Sequence, residues 1–348
     1  MIREELVERE GWITPDKFKR ALAVYQALPG PEAHELCVYF GMIRKGRLGG
    51  FLAGLGFMLP GFLMILALAY AYQFYGATVL LPLFIGIAPA VAALIVRALH
   101  RLSQHTLHDR ELWVMAILSA VMSFVGVHFL LIFALCALWQ FLKHRLSTPV
   151  LAGAMILSVA ATMLLTLYLP EGRLALPSGG LFVEGLKAGM LSFGGAYTAI
   201  PFLNDSMVGQ YPNITQQSFL DALALSNVIP APLVIFGTFL GFLADGFTGA
   251  ILMTLGIFIP AFSFTLVGHN YLEKAIENPA LHDVLNGIAA AVIGLLTVTA
   301  LQILVATITG IVPAAIFIAA LAGLYFLKTK WATPAIILLS GIIGFVFM

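Results

Sequence analysis

Three short stretches interrupt otherwise apolar runs with groups that can do chemistry: Pro29-Gly-Pro31, Pro230-Ala-Pro232 and Ser192-Phe-Gly-Gly195. Proline lacks a backbone donor and clashes with the carbonyl four residues back, so Pro-x-Pro ends one half-helix and lets another begin. The new half-helix opens with unpaired N–H groups and about half a positive charge, a seat for an anion. In lipid such loosened backbone survives only where protein buries it or where it lines a cavity. Ser192, Gly194 and Gly195 supply a hydroxyl and backbone that a small ligand can approach closely, although small residues are also how membrane helices pack. Gln26 and its counterpart Asn227 flank the two breaks as side-chain donors. Lys187, five residues before Ser192, snorkels or meets an anion. Glu32, His34 and Glu35 directly follow the first break, where they handle protons or line a wet rim.

Other chemistries find no footing. HExxH, GxSxG and P-loop patterns are absent, as is any Cys/His cluster with metal spacing, so neither an enzyme nor a metal or cofactor is expected. Glu32 and Glu35 are the only seed for acid–base catalysis by a membrane-embedded enzyme, and they lack a nucleophile. Cys37 and Cys136 form no CxxC and read as packing residues. A net charge of +1 leaves no basic stripe for nucleic acid.

The elements that must position these groups are membrane helices. The chain is 61% hydrophobic and 10% charged, with a mean hydropathy of +0.99, too little polar surface for a soluble globule of 348 residues. A bilayer core takes about 20 apolar residues per helix. Runs of that kind cover 18–43, 49–75, 77–98, 111–127, 128–142 and 149–169, then 179–203, 218–243, 247–272, 282–303, 306–327 and 331–348. The charged first twenty residues contain no apolar core and cannot be a signal peptide.

The chain also repeats itself. At an offset of 201, Phe18, Pro29 and Pro31 fall on Phe219, Pro230 and Pro232; after one deletion Gly41, Gly46, Gly49 and Pro60 fall on Gly241, Gly246, Gly249 and Pro260. Gly86–Val91 matches Gly287–Val292, back at the first offset. The expected fold is an all-α polytopic membrane protein of two homologous helical repeats with Pro-broken helices. Residues 1–148 form the first repeat, 149–178 a connecting helix and loop, and 179–348 the second repeat. Arg44, Lys45 and Arg47, then Arg97, Arg101 and Arg110, then Lys143 and Arg145 fall on one face when the spans are counted, which marks that face as cytoplasmic. The first cluster becomes Ala244–Phe247 in the second half, with no basic residue, so the repeats read as inverted.

Leu28-Pro-Gly-Pro31, the Gly-x4-Gly-x2-Gly run after it, Met58-Leu-Pro60 or Phe258-Ile-Pro260, and the SFGG helix together resemble the chromate ion transporter family in its long-chain, two-repeat form. The resemblance covers nearly the whole chain. It implies a multi-pass inner-membrane carrier that exports chromate, a tetrahedral dianion shaped like sulfate, and confers chromate resistance. Sulfate or another oxyanion is the alternative cargo, and homo-oligomerisation is left open. Two departures stand out: an FGG-type helix at the start of the first repeat would fall before Met1, so that repeat is expected to lack its first helix, and the second break is Pro-Ala-Pro.

Overall fold

The computed structural model describes residues 10–15, 18, 21–22, 25, 30–76, 81–143, 145, 147–168, 180–192, 196–229, 231–268, 279–327, 329 and 331–347. In chain order its α-helices are α1 Glu32–Ala71, α2 Leu81–Thr106, α3 Arg110–Phe124, α4 Phe129–Leu142, α5 Thr148–Tyr168, α6 Gly180–Met190, α7 Ala199–Met207, α8 Gln216–Val228, α9 Phe236–Leu266, α10 Pro279–Thr307, α11 Ile311–Phe326 and α12 Ala332–Phe347.

α1 and α9 are each two arms folded at matched places. Lys45-Gly46 and Asp245-Gly246 leave helical geometry, with φ of +64° at Gly46 and +57° at Gly246, where an L side chain is disfavoured. The arms then run back to back: a Cβ on Gly41 would strike the Gly49 carbonyl, and one on Gly241 the Gly249 carbonyl. Glycine at these positions is what lets the backbones close.

The second arms show how the repeats are related. Gly50 lies against Leu266 and Gly54 against Phe262, while Tyr70 at the other end meets Phe247 at 6.1 Å between centroids. Equivalent segments therefore lie antiparallel, which is an inverted repeat. The remaining helices exchange partners. α2 packs on α11 and α12, and its duplicate α10 packs on α3 and α4. Gly86 faces Ser340 and Gly344, and its duplicate Gly287 faces Cys136 and Gln140.

Contacts at the helix ends fix two faces. Tyr72, after α1, meets Phe84 near the start of α2. α3 and α4 form a hairpin pinned by Ser119–Cys136 at 3.3 Å and Gln140–Met115 at 3.4 Å. Lys143 pairs with Asp283 at 2.7 Å, and His100 meets Tyr325 at the end of α11. Arg44, Arg47, Arg101, Arg110 and Lys143 consequently share one face, called the basic face below. α5, 21 residues long and about 30 Å at 1.5 Å per residue, carries the chain to the opposite face. Trp139 Nε1 donates to Ser158 Oγ along the way.

Three runs expected to cross the membrane once instead enter and return. In the first, Phe18 stacks on Phe40 (6.0 Å), Tyr25 meets Tyr39 (5.6 Å) and Arg44 lies over Trp12, so 18–43 folds back to the basic face. In 218–243, Phe219 meets Phe236 edge-on, Tyr72 touches both Asp221 and Phe239, and Asn213 Nδ2 donates to the Leu243 carbonyl at 3.1 Å, so the run returns to the opposite face. In 179–203, Glu184 early in α6 and Asp205 late in α7 both lie within electrostatic reach of His128. Hydropathy counts apolar residues and cannot distinguish a run that continues through its break from one that doubles back. The side-chain pairs across each hairpin make that choice.

α6 lies parallel to the second arm of α9. A Cβ on Gly185 would meet the Met253 carbonyl, one on Gly189 the Ile257 carbonyl, and one on Gly256 the Phe182 carbonyl. Gly189→Leu should separate the two helices and reduce the monodisperse fraction in detergent several-fold, since overpacking typically costs about 1–3 kcal/mol. An unchanged gel-filtration profile would contradict this packing.

Candidate functional site

The tips of the three hairpins converge. The Gly30 amide, at the first Pro-x-Pro, donates to the Ser192 carbonyl at 2.7 Å and so joins the first repeat to the SFGG hairpin of the second. Ala196–Thr198, just beyond SFGG, packs on Leu233–Ile235, just beyond the second break. Ala231 in that break sits against Gly61 of α1, where no side chain would fit. The tips thus link into a chain that crosses between the repeats.

Two helical starts lie at the tips. α1 begins at Glu32 behind Pro31 and the turn Leu233–Ile235 begins behind Pro232, and neither start has a side-chain cap. Gly30 has φ of +151°, a conformation that suits glycine. A Cβ there would lie 2.5 Å from Glu35 Oε1 and 2.8 Å from its Cδ. The first tip therefore already holds a carboxylate, in addition to Glu32 in the same first turn. The second tip has no acidic residue in its first turn.

Gly30, Pro31, Ser192 and Pro232 stand at the convergence. Gln26, Pro29, Gly194, Gly195 and Pro230 lie outside the described residues. The Ser192 hydroxyl donates to the Ala188 carbonyl at 2.8 Å, so the junction uses its carbonyl and not its proton. Asn227 Nδ2 donates to the Leu223 carbonyl one turn back in its own helix, which satisfies that donor locally. Lys187 meets a protein anion: its Nζ is 2.9 Å from Glu184 Oε1. A neighbour three residues away on a helix is the natural partner for an intramembrane lysine.

His34 and Glu35 are fully buried, which rules out a wet rim for both. The His34 ring is set among Phe57, Phe258 and Phe262, with the last at 4.6 Å edge-on. Both Glu35 oxygens lack a hydrogen-bond partner among the described residues.

Sequence reasoning missed Asp221, 2% exposed, which accepts from Tyr72 Oη at 2.8 Å and from Gln217 Nε2 at 2.9 Å. A lone aspartate inside an apolar run was the available signal. Gln217 also lines a cavity of about 270 Å3 at the opposite face, with Gln216, Thr307 and Thr309, between α2, α8 and α10. This is polar lining at the outer end of the seam between the repeats.

Re-entrant tips meeting between inverted repeats define a class, the polytopic membrane protein that places a polar backbone site inside the bilayer. Within that class, the family model described as chromate transporter matches residues 1–141 and 179–345, and the chain belongs to that family. It is 46% identical to a chromate transport protein of Pseudomonas aeruginosa, over 99% of this chain and 86% of that one. It is 31% identical to a chromate transport protein of Cupriavidus metallidurans over the same shares. A probable chromate transport protein of Synechococcus elongatus is 29% identical over 99% of this chain and 89% of that one. No solved structure matches the chain.

Proposed function

We propose that this protein is a secondary carrier that exports chromate across the cytoplasmic membrane, with the dianion held where the hairpin tips meet. The observation that supports this most directly is the Gly30–Ser192 hydrogen bond between the repeats. Any rocking of one repeat against the other must break or re-aim it, so site and moving interface coincide. The seat is the backbone around Gly30–Pro31 and Ile229–Pro232, with Ser192 and the glycines after it closing one side. The chromate named for the relatives from Pseudomonas and Cupriavidus is a tetrahedral dianion whose oxygens accept from such amides.

The direction follows from charge. Enrichment of basic residues in cytoplasmic loops assigns the basic face to the cytoplasm. A dianion leaving an inside-negative cell gains about 4–5 kcal/mol per 100 mV, at about 2.3 per charge. Voltage alone is sufficient to drive export.

Everted vesicles test this directly. Chromate should accumulate in vesicles containing the chain, and collapsing the membrane potential should reduce the accumulation several-fold. Sulfate in excess measures selectivity. Accumulation that ignores the potential, or that vector-only vesicles match, would remove the reading.

A further inference from the structure

α2 carries a cation that the tips leave unexplained. Arg97 lies nine residues before the end of α2 at Thr106, about 14 Å inside that end at 1.5 Å per residue, and is half-buried. Among the described residues it has neither an ion pair nor a hydrogen bond. Lys187 and Lys143, by comparison, each have a carboxylate within 2.9 Å. A half-buried guanidinium is stable only where water or an anion meets it.

Its neighbourhood explains the placement. Tyr197, the second residue after Gly194-Gly195, lies within electrostatic reach of Arg97 and of Arg101, one turn further along α2. Both guanidinium groups thus lie within reach of the turn Ala196–Thr198. Tyr197 adjoins Thr198, and the turn they share packs on the second Pro-x-Pro tip. The duplicate positions on α10 are Val298 and Gln302, so the inverted repeat supplies no second guanidinium and the charge is one-sided. Duplication preserved the packing glycines Gly86 and Gly287 but not this arginine.

We propose that Arg97 is a substrate-binding residue that meets the oxyanion as it reaches the SFGG hairpin from the basic face, with Arg101 as the outer attracting charge. This rests on the reading that the chain carries a dianionic oxyanion. A planar guanidinium matches two oxygens of a tetrahedral oxyanion at once, which a lysine cannot do. The carrier then presents a cation on the loading side and neutral backbone amides at the second tip. The anion is attracted inward without being trapped.

The test uses the full chain in proteoliposomes, with chromate as the probe and two readouts: half-saturation for flux, and chromate-dependent thermal stabilisation of the protein. Arg97→Gln should raise half-saturation about tenfold or more and lose most of the stabilisation, and Arg97→Lys should fall between it and wild type. Both variants should melt as wild type does without chromate. Should the glutamine variant not fold, Arg97→Met keeps the apolar stem and takes its place. Half-saturation unchanged in Arg97→Gln, beside an active wild type, overturns the assignment and leaves the carrier reading standing. A folded Arg97→Lys as inert as Arg97→Gln assigns the residue to packing and also overturns it. A wild type that neither binds nor moves chromate removes both readings together.

Discussion

Gly30→Ala should abolish chromate flux in a protein that still reaches the membrane folded. The φ of +151° at Gly30 is unfavourable for alanine, and the added methyl would lie 2.5 Å from Glu35 Oε1. Either the carboxylate moves or the tip unbends. In both cases the Gly30 amide is drawn off the Ser192 carbonyl, at present 2.7 Å away. A displacement of about 1 Å at a preorganised site commonly costs about a hundredfold in rate, and a loss of that order is expected. The double variant Gly30→Ala, Glu35→Ala removes the side-chain clash and keeps the φ penalty, so it should recover only part of the flux. Chromate accumulation in everted vesicles, normalised to folded protein by gel filtration, gives the readout. Near-wild-type flux in the single variant would show that the junction of the tips is not the site.

The duplication was legible because its markers are residues whose backbone role is hard to replace. Gly46 and Gly246 align at an offset of 200, and both occupy positive φ at the fold of an arm. Gly86 and Gly287 align at 201 and each receives a helix of the opposite repeat. The inverted sense was legible from the basic clusters, although the path between them differs from the expected one. Two runs of the second half, 179–203 and 218–243, double back instead of crossing. Two reversals leave the parity of the count unchanged, so Ala244–Phe247 still falls on the face without basic residues.

Side-chain roles were less legible, because the nearest partner of a polar group cannot be read from its spacing alone. Lys187 had a carboxylate three residues away, and the pairing at 2.9 Å takes it off the anion. Asn227 spends its donor on its own helix. Arg97 was counted as a loop marker because the apolar run ends at 98, whereas α2 continues to Thr106. Charged residues extend a helix without extending its hydropathy, and so an arginine within α2 was assigned to a loop.

The largest remaining effect is expected from Glu35→Gln, in the pH dependence of transport. Glu35 is fully buried, with neither oxygen hydrogen-bonded among the described residues, and it presses on the backbone of Gly30. An ionised carboxylate about 5 Å from a dianion, at an effective dielectric of about 20, opposes it by about 7 kcal/mol. The two charges therefore exclude each other from the convergence of the tips. If the convergence of the tips is the chromate site proposed above, the anion should occupy it only while Glu35 carries a proton. Wild-type flux should accordingly fall as pH rises and Glu35 loses its proton. Glu35→Gln keeps the shape and the neutral form, so its flux should persist at alkaline pH with a nearly flat profile. Glu32, in the same first turn, lies within electrostatic reach of Glu35, and Glu32→Gln should leave the profile sloped. The initial rate of chromate uptake into everted vesicles, with internal and external pH clamped together, separates these cases. A Glu35→Gln profile that slopes like wild type would place the titrating group elsewhere.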